Sequence, residues 1–304
     1  MRHFLDLDQL PNTTLRTILD LAHREKRTQE YSQKKALAGK TLAMVFEKNS
    51  TRTRVSFQVG IGQLGGQAVL LENSSSQMGR GESIADTARV LSRMADIIMI
   101  RTDKHDKLTQ MATHSTLPVI NALTDFSHPC QIMADLMTIE EHCGALDKQR
   151  VAWLGDGNNV ATSFVHAAVK FGFELNVATP PSLTLPQTVT DWIARQEAHK
   201  ITLCNDPEAA LHNADVVVTD TWVSMGDEGD AAPRLEALSP FQVNATAMAK
   251  ANKEAIFLHC LPAHRGEEVT AEVIDGPQSR VFDEAENRLH VQKAIMLWAT
   301  KAAL

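Results

Sequence analysis

The chain is dominated by short, continuously apolar runs, among them TLAMVF, DIIMIR, ADVVVTD and AIFLHC, each followed by a stretch with helical spacing. Uninterrupted apolar runs of this length suit strands covered on both faces, and their alternation with helices points to parallel sheets. Two such blocks meet near residue 145. In the first, Leu15, Ile18, Leu19 and Ala22 follow the i, i+3, i+4, i+7 rule behind a capping Thr13 or Thr14. Strands are predicted at 41–46, 67–71, 96–101 and 117–122, with helices near 52–64, 83–94 and 106–114. The middle helix carries Ile84, Ala88, Leu91 and Ala95 on one stripe. A helix over about 129–142, closed by Gly144, leads into the second block as an interdomain connector. That block has predicted strands at 150–154, 174–178, 201–204, 215–219 and 255–260. It ends in a long helix, about 283–303, with Leu289, Gln292, Met296, Leu297 and Thr300 near one face.

The expected fold is therefore α/β: two doubly wound domains, each with a mostly parallel sheet, joined by interdomain helices. The first domain spans 1–145 and the second 146–282, with the helix from 283 to 304 as a separate terminal element. A length of 304 residues agrees with two domains at about 150 residues each.

Thirty Lys and Arg against thirty-seven Asp and Glu give a net charge of −7, which excludes a broad basic face for nucleic acid or anionic lipid. Any anion site must be local. No apolar run is long enough to span a bilayer, and MRHFLDLDQL lacks a basic-then-apolar secretory pattern, so a cytoplasmic location is expected. Cys130, Cys143, Cys204 and Cys260 form no CxxC pair and no disulfide framework, so free thiols and no structural metal are expected.

Ser50-Thr51-Arg52-Thr53-Arg54 stands between a strand and a helix start. Unpaired N–H groups there, with hydroxyls and guanidinium forks beside them, make an anion site; a capped helix with two solvated arginines is the plain alternative. A P-loop string is absent. His128-Pro129-Cys130-Gln131 follows the run PVINAL, where open α/β sheets place ligand groups, although Pro129 at N1 of a helix also explains it. Arg101 ends the run DIIMIR. Gly155-Asp156-Gly157-Asn158-Asn159 has the position of a dinucleotide loop but lacks its third glycine, and its asparagines suit a polar small molecule. Asp220 ends VVVTD, where a carboxylate can pair with a substrate ammonium or simply be solvated; Trp222 and the glycine-bearing loop 224–230 follow. His259-Cys260-Leu261-Pro262 ends the last central strand. Cys260 there is either a site thiol or a small buried hydrophobe, and Leu261-Pro262 is a candidate cis bond.

Taken together, FEKNSTRTRVSF (46–57), SSSQMGRGES (74–83), HPCQ (128–131), LGDGNN (154–159), DTWVSMG (220–226), HCLPAHRGEEV (259–269) and FDEAENRLHVQKA (282–294) resemble the aspartate/ornithine carbamoyltransferase superfamily, most closely its ornithine branch. The resemblance covers essentially the whole chain. It implies a carbamoyl-phosphate-binding amino-terminal domain, an ornithine-binding second domain and a terminal helix packing back on the first. Ser50, Thr51, Arg52 and Thr53 would hold phosphate; Arg101, His128 and Gln131 the carbamoyl group; Asn159, Asp220, Ser224 and Met225 ornithine. Cys260, the Leu261 carbonyl and Arg288 would lie near the reacting groups, with Arg101, His128, Cys260 and Arg288 carrying catalysis. Gln77 would reach a neighbouring subunit's site, which implies a homotrimer. The departures, Asn49 and Gln58, alter no matched contact residue, and the loop at 74–83 lacks the lysine of the aspartate branch.

The reaction this implies is attack of a neutral side-chain amine of L-ornithine on carbamoyl phosphate, giving L-citrulline and phosphate, with no metal and no cofactor. A biosynthetic role is compatible with the acidic chain. A nucleotide-dependent oxidoreductase using GDGNN and a non-catalytic small-anion or amino-acid binding protein are the two rival readings.

Overall fold

The computed structural model describes residues 1–48, 50–72, 81–223 and 231–303. The chain forms two compact units, Met1–Met137 with Glu286–Leu304, and Thr138–Ala285.

The first unit contains α1 (Asn12–Thr28), α2 (Glu30–Gln33), β1 (Thr41–Phe46), α3 (Thr51–Gln63), β2 (Gln67–Glu72), α4 (Ile84–Leu91), β3 (Ile97–Arg101), α5 (His105–His114), β4 (Val119–Leu123) and the start of α6 (Pro129–Cys143). Its four strands are parallel, in the order β2-β1-β3-β4. Residues 42–46 of β1 are all buried, and since successive side chains point to opposite faces, both faces of the sheet are covered. On one face Ala43, Val45, Ile98 and Ile100 pack with Ala88 of α4 and with Leu108 and Met111 of α5. The expected α4 stripe holds, for Ile84, Leu91 and Ala95 lie against the same cluster. Phe4, for which no strand was expected, adds one parallel bridge beyond β4, its N–H donating to the Val119 carbonyl at 2.9 Å. A single paired residue leaves no periodic trace in sequence.

The second unit contains β5 (Arg150–Leu154), α7 (Asn159–Phe171), β6 (Glu174–Ala178), α8 (Gln187–Ala194), β7 (Ile201–Cys204), α9 (Pro207–Leu211), β8 (Val216–Thr219), α10 (Ala231–Leu238), α11 (Ala245–Met248), β9 (Ile256–His259) and α12 (Ala271–Ile274). Its five parallel strands run β7-β6-β5-β8-β9. Ala152, Leu154, Val217 and Phe257 bury one face against Leu211, Met248, Val273 and Ile274. Trp153 faces the other way and meets Phe164 of α7 with ring centroids 6.0 Å apart.

In each sheet the chain reverses its direction of growth once, between β1 and β3 and between β5 and β8. Ligand groups in open α/β sheets gather at the carboxyl ends of strands beside such reversals. The loops after these four strands are those carrying Ser50–Thr53, Thr102, Gly155–Asn158 and Asp220.

Two local expectations are corrected. Helix α1 starts at Asn12, and the Pro11 carbonyl accepts its first bonds from Thr14 and Leu15, so Thr13 and Thr14 lie inside the first turn and do not cap it. Pro11, with φ −60°, presets that entry. The terminal helix is α13 (Val281–Ala299), and residues 291–297 are buried on every side of it rather than along one face. Gln292 and Lys293 are buried there with the apolar residues, and Lys293 Nζ pairs with the buried Glu25 at 3.2 Å. Just past the end of α13, Lys301 at φ +62° lets the Ala302 N–H reach the Leu297 carbonyl at 2.9 Å.

Among the described residues, no helix is long and apolar enough to cross a membrane. Gln77, Ser224 and Met225 lie outside the described residues.

Candidate active site

In the first unit, α3 begins where β1 ends. Ser50 is extended, and its Oγ accepts the Thr53 N–H at 3.3 Å, so it caps the helix as its residue type allows. The plain reading of Ser50 is thus correct, but it does not account for the charges around Thr53. Thr53 is fully buried, and its Oγ1 accepts from Arg288 Nη2 at 2.7 Å and from Arg101 Nη1 at 3.3 Å. Arg101 reaches it from the end of β3, and Arg288 from α13, 235 positions along the chain.

Arg288 Nη1 also donates to Gln131 Oε1 at 2.8 Å, and Gln131 Nε2 donates to Asp135 Oδ1 at 2.8 Å. Asp135, one turn beyond Gln131 in α6, orients that amide so that its oxygen faces the guanidinium. The sequence reading missed it. Arg54, the second arginine of the motif, is turned away onto Glu72 at 3.1 Å, whereas Thr51 is exposed and Arg52 half-buried at the start of α3.

His128 is 3% exposed. Its carbonyl accepts the first bonds of α6, from Gln131 and Ile132, which leaves Pro129 at N1. Burial, then the charges of Arg288 and Arg101, hold its imidazole well below the usual histidine range. It is neutral at neutral pH, and so keeps one N–H donor and one lone pair. The neighbouring Cys130 is fully buried and donates to the Asn121 carbonyl at 3.2 Å; burial pushes its thiol up to about 12. It is a packing residue.

Behind the carboxyl ends of β1 and β3, Lys107 binds both carboxylate oxygens of Glu47, at 2.9 and 3.0 Å, and Asp103 at 2.8 Å. The bond to Lys107 holds the Asp103 carboxyl down at about 2. These pairs tie the β1 and β3 loops together.

In the second unit, Asp220 follows β8. Its Oδ2 accepts from Asn158 Nδ2 at 2.8 Å, and its Oδ1 accepts from the Thr221 N–H at 2.8 Å and the Cys260 thiol at 3.0 Å. Asn158 also caps α7, taking the N–H groups of Val160 and Ala161 on its Oδ1. Asn158, which the sequence does not single out, is thus the asparagine of this loop that meets Asp220, while Asn159 is the first residue of α7 and its carbonyl accepts from Ser163. Asp156 pairs with Arg234 of α10, which also donates to the Trp222 carbonyl. Desolvation raises the Asp156 carboxyl, and Arg234 opposes that rise.

Gly157 has a backbone reason for being glycine, since a Cβ there would sit 2.3 Å from the Thr184 carbonyl carbon. This close approach of the chain to itself explains a glycine that the oxidoreductase reading assigns to a nucleotide.

Leu261 sits at φ +59°, a left-handed conformation that costs an L-residue about 1–2 kcal/mol, and the Leu261-Pro262 bond is cis. Donor atoms of Asp220, His259 and Cys260 lie within 4.8 Å of one another, a spacing one cation can bridge. Each already has a protein partner, the Cys260 thiol on Asp220 and the His259 ring on Leu261 and Glu268.

The arrangement suits two tasks. The first unit offers buried guanidiniums, a hydroxyl, a neutral imidazole and a helix N-terminus, the chemistry of a phosphate and carbonyl cradle. The second offers a carboxylate held rigid by three donors, the chemistry of an ammonium hook.

Comparison with known proteins agrees with this division. Residues 2–141 match the carbamoyl-P binding domain of aspartate/ornithine carbamoyltransferases, and residues 147–299 match their Asp/Orn binding domain. An ornithine carbamoyltransferase of Rhodopseudomonas palustris is 59% identical over 303 residues, covering 99% of this chain and 97% of its own. The ornithine carbamoyltransferase structure from Pyrococcus furiosus superposes with TM-score 0.93 at 46% identity, covering 99% and 97% of the two chains. The anabolic one from Campylobacter jejuni gives TM-score 0.93 at 40% identity, covering 99% of each. The chain belongs to the aspartate/ornithine carbamoyltransferase family.

Proposed function

We propose that the protein transfers the carbamoyl group of carbamoyl phosphate to the side-chain amine of L-ornithine, giving L-citrulline and phosphate. The observation that carries this reading is the convergence of Arg101 and Arg288 on the buried Thr53 hydroxyl at the start of α3. The whole-chain similarity to ornithine carbamoyltransferases supports ornithine as the acceptor.

As the amine attacks, charge moves to the carbonyl oxygen and to the departing phosphate. Ser50, Thr51, Arg52 and Thr53 hold the phosphate. Arg101, His128, Gln131 and Arg288 hold the carbamoyl group; the neutral His128 can donate to its oxygen without adding charge that would compete with the arginines. Each donor placed at a developing oxyanion contributes about 3–4 kcal/mol to the transition state. Asp220 pairs with the α-ammonium of ornithine, and Asn159, Ser224 and Met225 complete that site. The side-chain amine, with a reference pKa of about 10.4 by analogy with lysine, loses its proton before attack. Cys260 and the Leu261 carbonyl position it. The thiol proton, committed to Asp220, fits positioning better than nucleophilic attack by sulfur.

We further propose a cytoplasmic homotrimer in which Gln77 completes a neighbouring site. Exposed Val55 and Val59 on α3, with Val69, Val90 and Met94, give the first unit apolar surface for a second copy. The similar Campylobacter jejuni protein is an anabolic ornithine carbamoyltransferase, which supports a biosynthetic direction.

The test is an acceptor panel of L-ornithine, putrescine, L-lysine, acetylornithine and L-aspartate with carbamoyl phosphate, reading phosphate release and carbamoylated product. Preference for L-ornithine is expected. Preference for any other acceptor, or hydrolysis independent of acceptor, overturns the reading.

A further inference from the structure

Next to Cys260 lies a buried pair that the proposed chemistry leaves unused. The side chains of His259, at the end of β9, and Glu268 are both fully buried. His259 Nδ1 lies 2.9 Å from the Leu261 backbone N–H, which can only donate. Nδ1 is therefore the acceptor, and the ring proton sits on Nε2, 3.1 Å from Glu268 Oε1. The same Oε1 accepts the His264 N–H at 2.6 Å, which fixes the carboxylate in place. The His259 backbone N–H is taken by Glu284 Oε2 at 2.8 Å, so two buried carboxylates anchor this strand end.

We infer that His259 and Glu268 are positioning residues for the Cys260–Leu261 turn. Glu268 fixes the Nε2–H tautomer, and the freed Nδ1 lone pair holds the Leu261 N–H, so that Leu261 keeps its left-handed backbone. That backbone sets the directions of the Cys260 thiol and the Leu261 carbonyl. Without an acceptor at Glu268, the ring proton can move to Nδ1, where two N–H groups would face each other and the turn would rearrange. The kinetic part of this inference rests on the proposed function; the structural part does not.

Two pairs of variants separate positioning from mere packing. Glu268→Gln keeps an acceptor oxygen and Glu268→Met removes it at similar length. His259→Asn places an amide oxygen near the Nδ1 position and keeps the Leu261 bond, whereas His259→Gln reaches toward Glu268 and loses it. Three quantities are read: kcat with ornithine, KM for carbamoyl phosphate, and iodoacetamide labelling of Cys260 against Cys204 by peptide mass spectrometry. Glu268→Met and His259→Gln are expected to lower kcat roughly 10- to 100-fold, the usual range for residues supporting a site, with KM for carbamoyl phosphate within about twofold. Both are also expected to change the Cys260 labelling rate at least about threefold while leaving Cys204 unaltered, whereas Glu268→Gln and His259→Asn stay within about threefold of wild type throughout. Equal kcat in all four variants, or losses that track only the folded fraction with Cys260 labelling unchanged, would overturn the inference. If Glu268→Met does not fold, the His259 pair decides. If wild type forms no citrulline, the proposed function fails while the labelling result still decides this point.

Discussion

Replacing Thr53 with Val keeps the side-chain shape and removes one oxygen, the shared acceptor of Arg288 Nη2 at 2.7 Å and Arg101 Nη1 at 3.3 Å. A hydrogen bond to a charged group contributes about 1.5–3 kcal/mol, and the longer contact belongs at the weak end of that range. Arg288 is 3% exposed, so solvent cannot replace the lost acceptor. The folded state should lose about 2–3 kcal/mol, and at roughly 2–4 °C per kcal/mol the first unit should melt about 4–12 °C lower. The catalytic effect is separable from this. With Thr53 Oγ1 gone, Arg288 and Arg101 lose the acceptor they share, and the expected fall in kcat is about 10²–10³, that of one lost oxyanion donor, while KM for ornithine changes little. Calorimetric melting and citrulline formation at saturating ornithine measure the two effects, and Thr53→Ser, which retains the hydroxyl, should recover most of both. Melting within 1 °C of wild type together with kcat within threefold would refute the convergence on Thr53.

Asp220→Ala removes the carboxylate held by Asn158, Thr221 and Cys260. It should raise KM for ornithine roughly tenfold to a hundredfold, corresponding to about 1.5–3 kcal/mol, with KM for carbamoyl phosphate nearly constant in steady-state assays. Since the folded state holds His128 neutral well below its usual range, the unfolded chain binds the extra proton below about pH 6.5. Stability should therefore rise with pH up to that point and gain nothing from this residue above it; chemical denaturation of wild type and His128→Gln between pH 5 and 8 should show a shallower slope in the variant. With its thiol pushed up to about 12, Cys130 should remain unlabelled by iodoacetamide at pH 8 in the native protein and react once the chain is unfolded, as peptide mapping would show.

The strands were legible because parallel strands covered on both faces are written as unbroken apolar runs, and β1, β5, β6 and β7 fall at their predicted limits. The hydroxyls of the anion cradle were legible because Ser50, Thr51 and Thr53 stand together at one helix start, but the arginines that meet Thr53 come from β3 and α13, while Arg54 of that motif turns to Glu72. What remained hidden was set by partners far away in sequence. Asn158 meets Asp220 across 62 positions, Arg234 meets Asp156 across 78, and Asp135 matters only because Gln131 must face Arg288. His259 and Glu268 are nine residues apart, yet nothing in HCLPAHRGEE says that a turn folds one carboxylate back onto the imidazole. The cap of α1 failed for a local reason, since two threonines near a helix start looked like caps while Pro11 had already fixed the entry.

On the proposed mechanism Arg288, brought by α13 to Thr53 and Gln131, grips the anionic substrate. Calorimetric titration of carbamoyl phosphate into wild type and Arg288→Gln tests it most directly. One site per chain is expected in wild type, with affinity at least about a hundredfold weaker in the variant, a loss of roughly 2.7 kcal/mol or more. Equal affinity in the two proteins would contradict it.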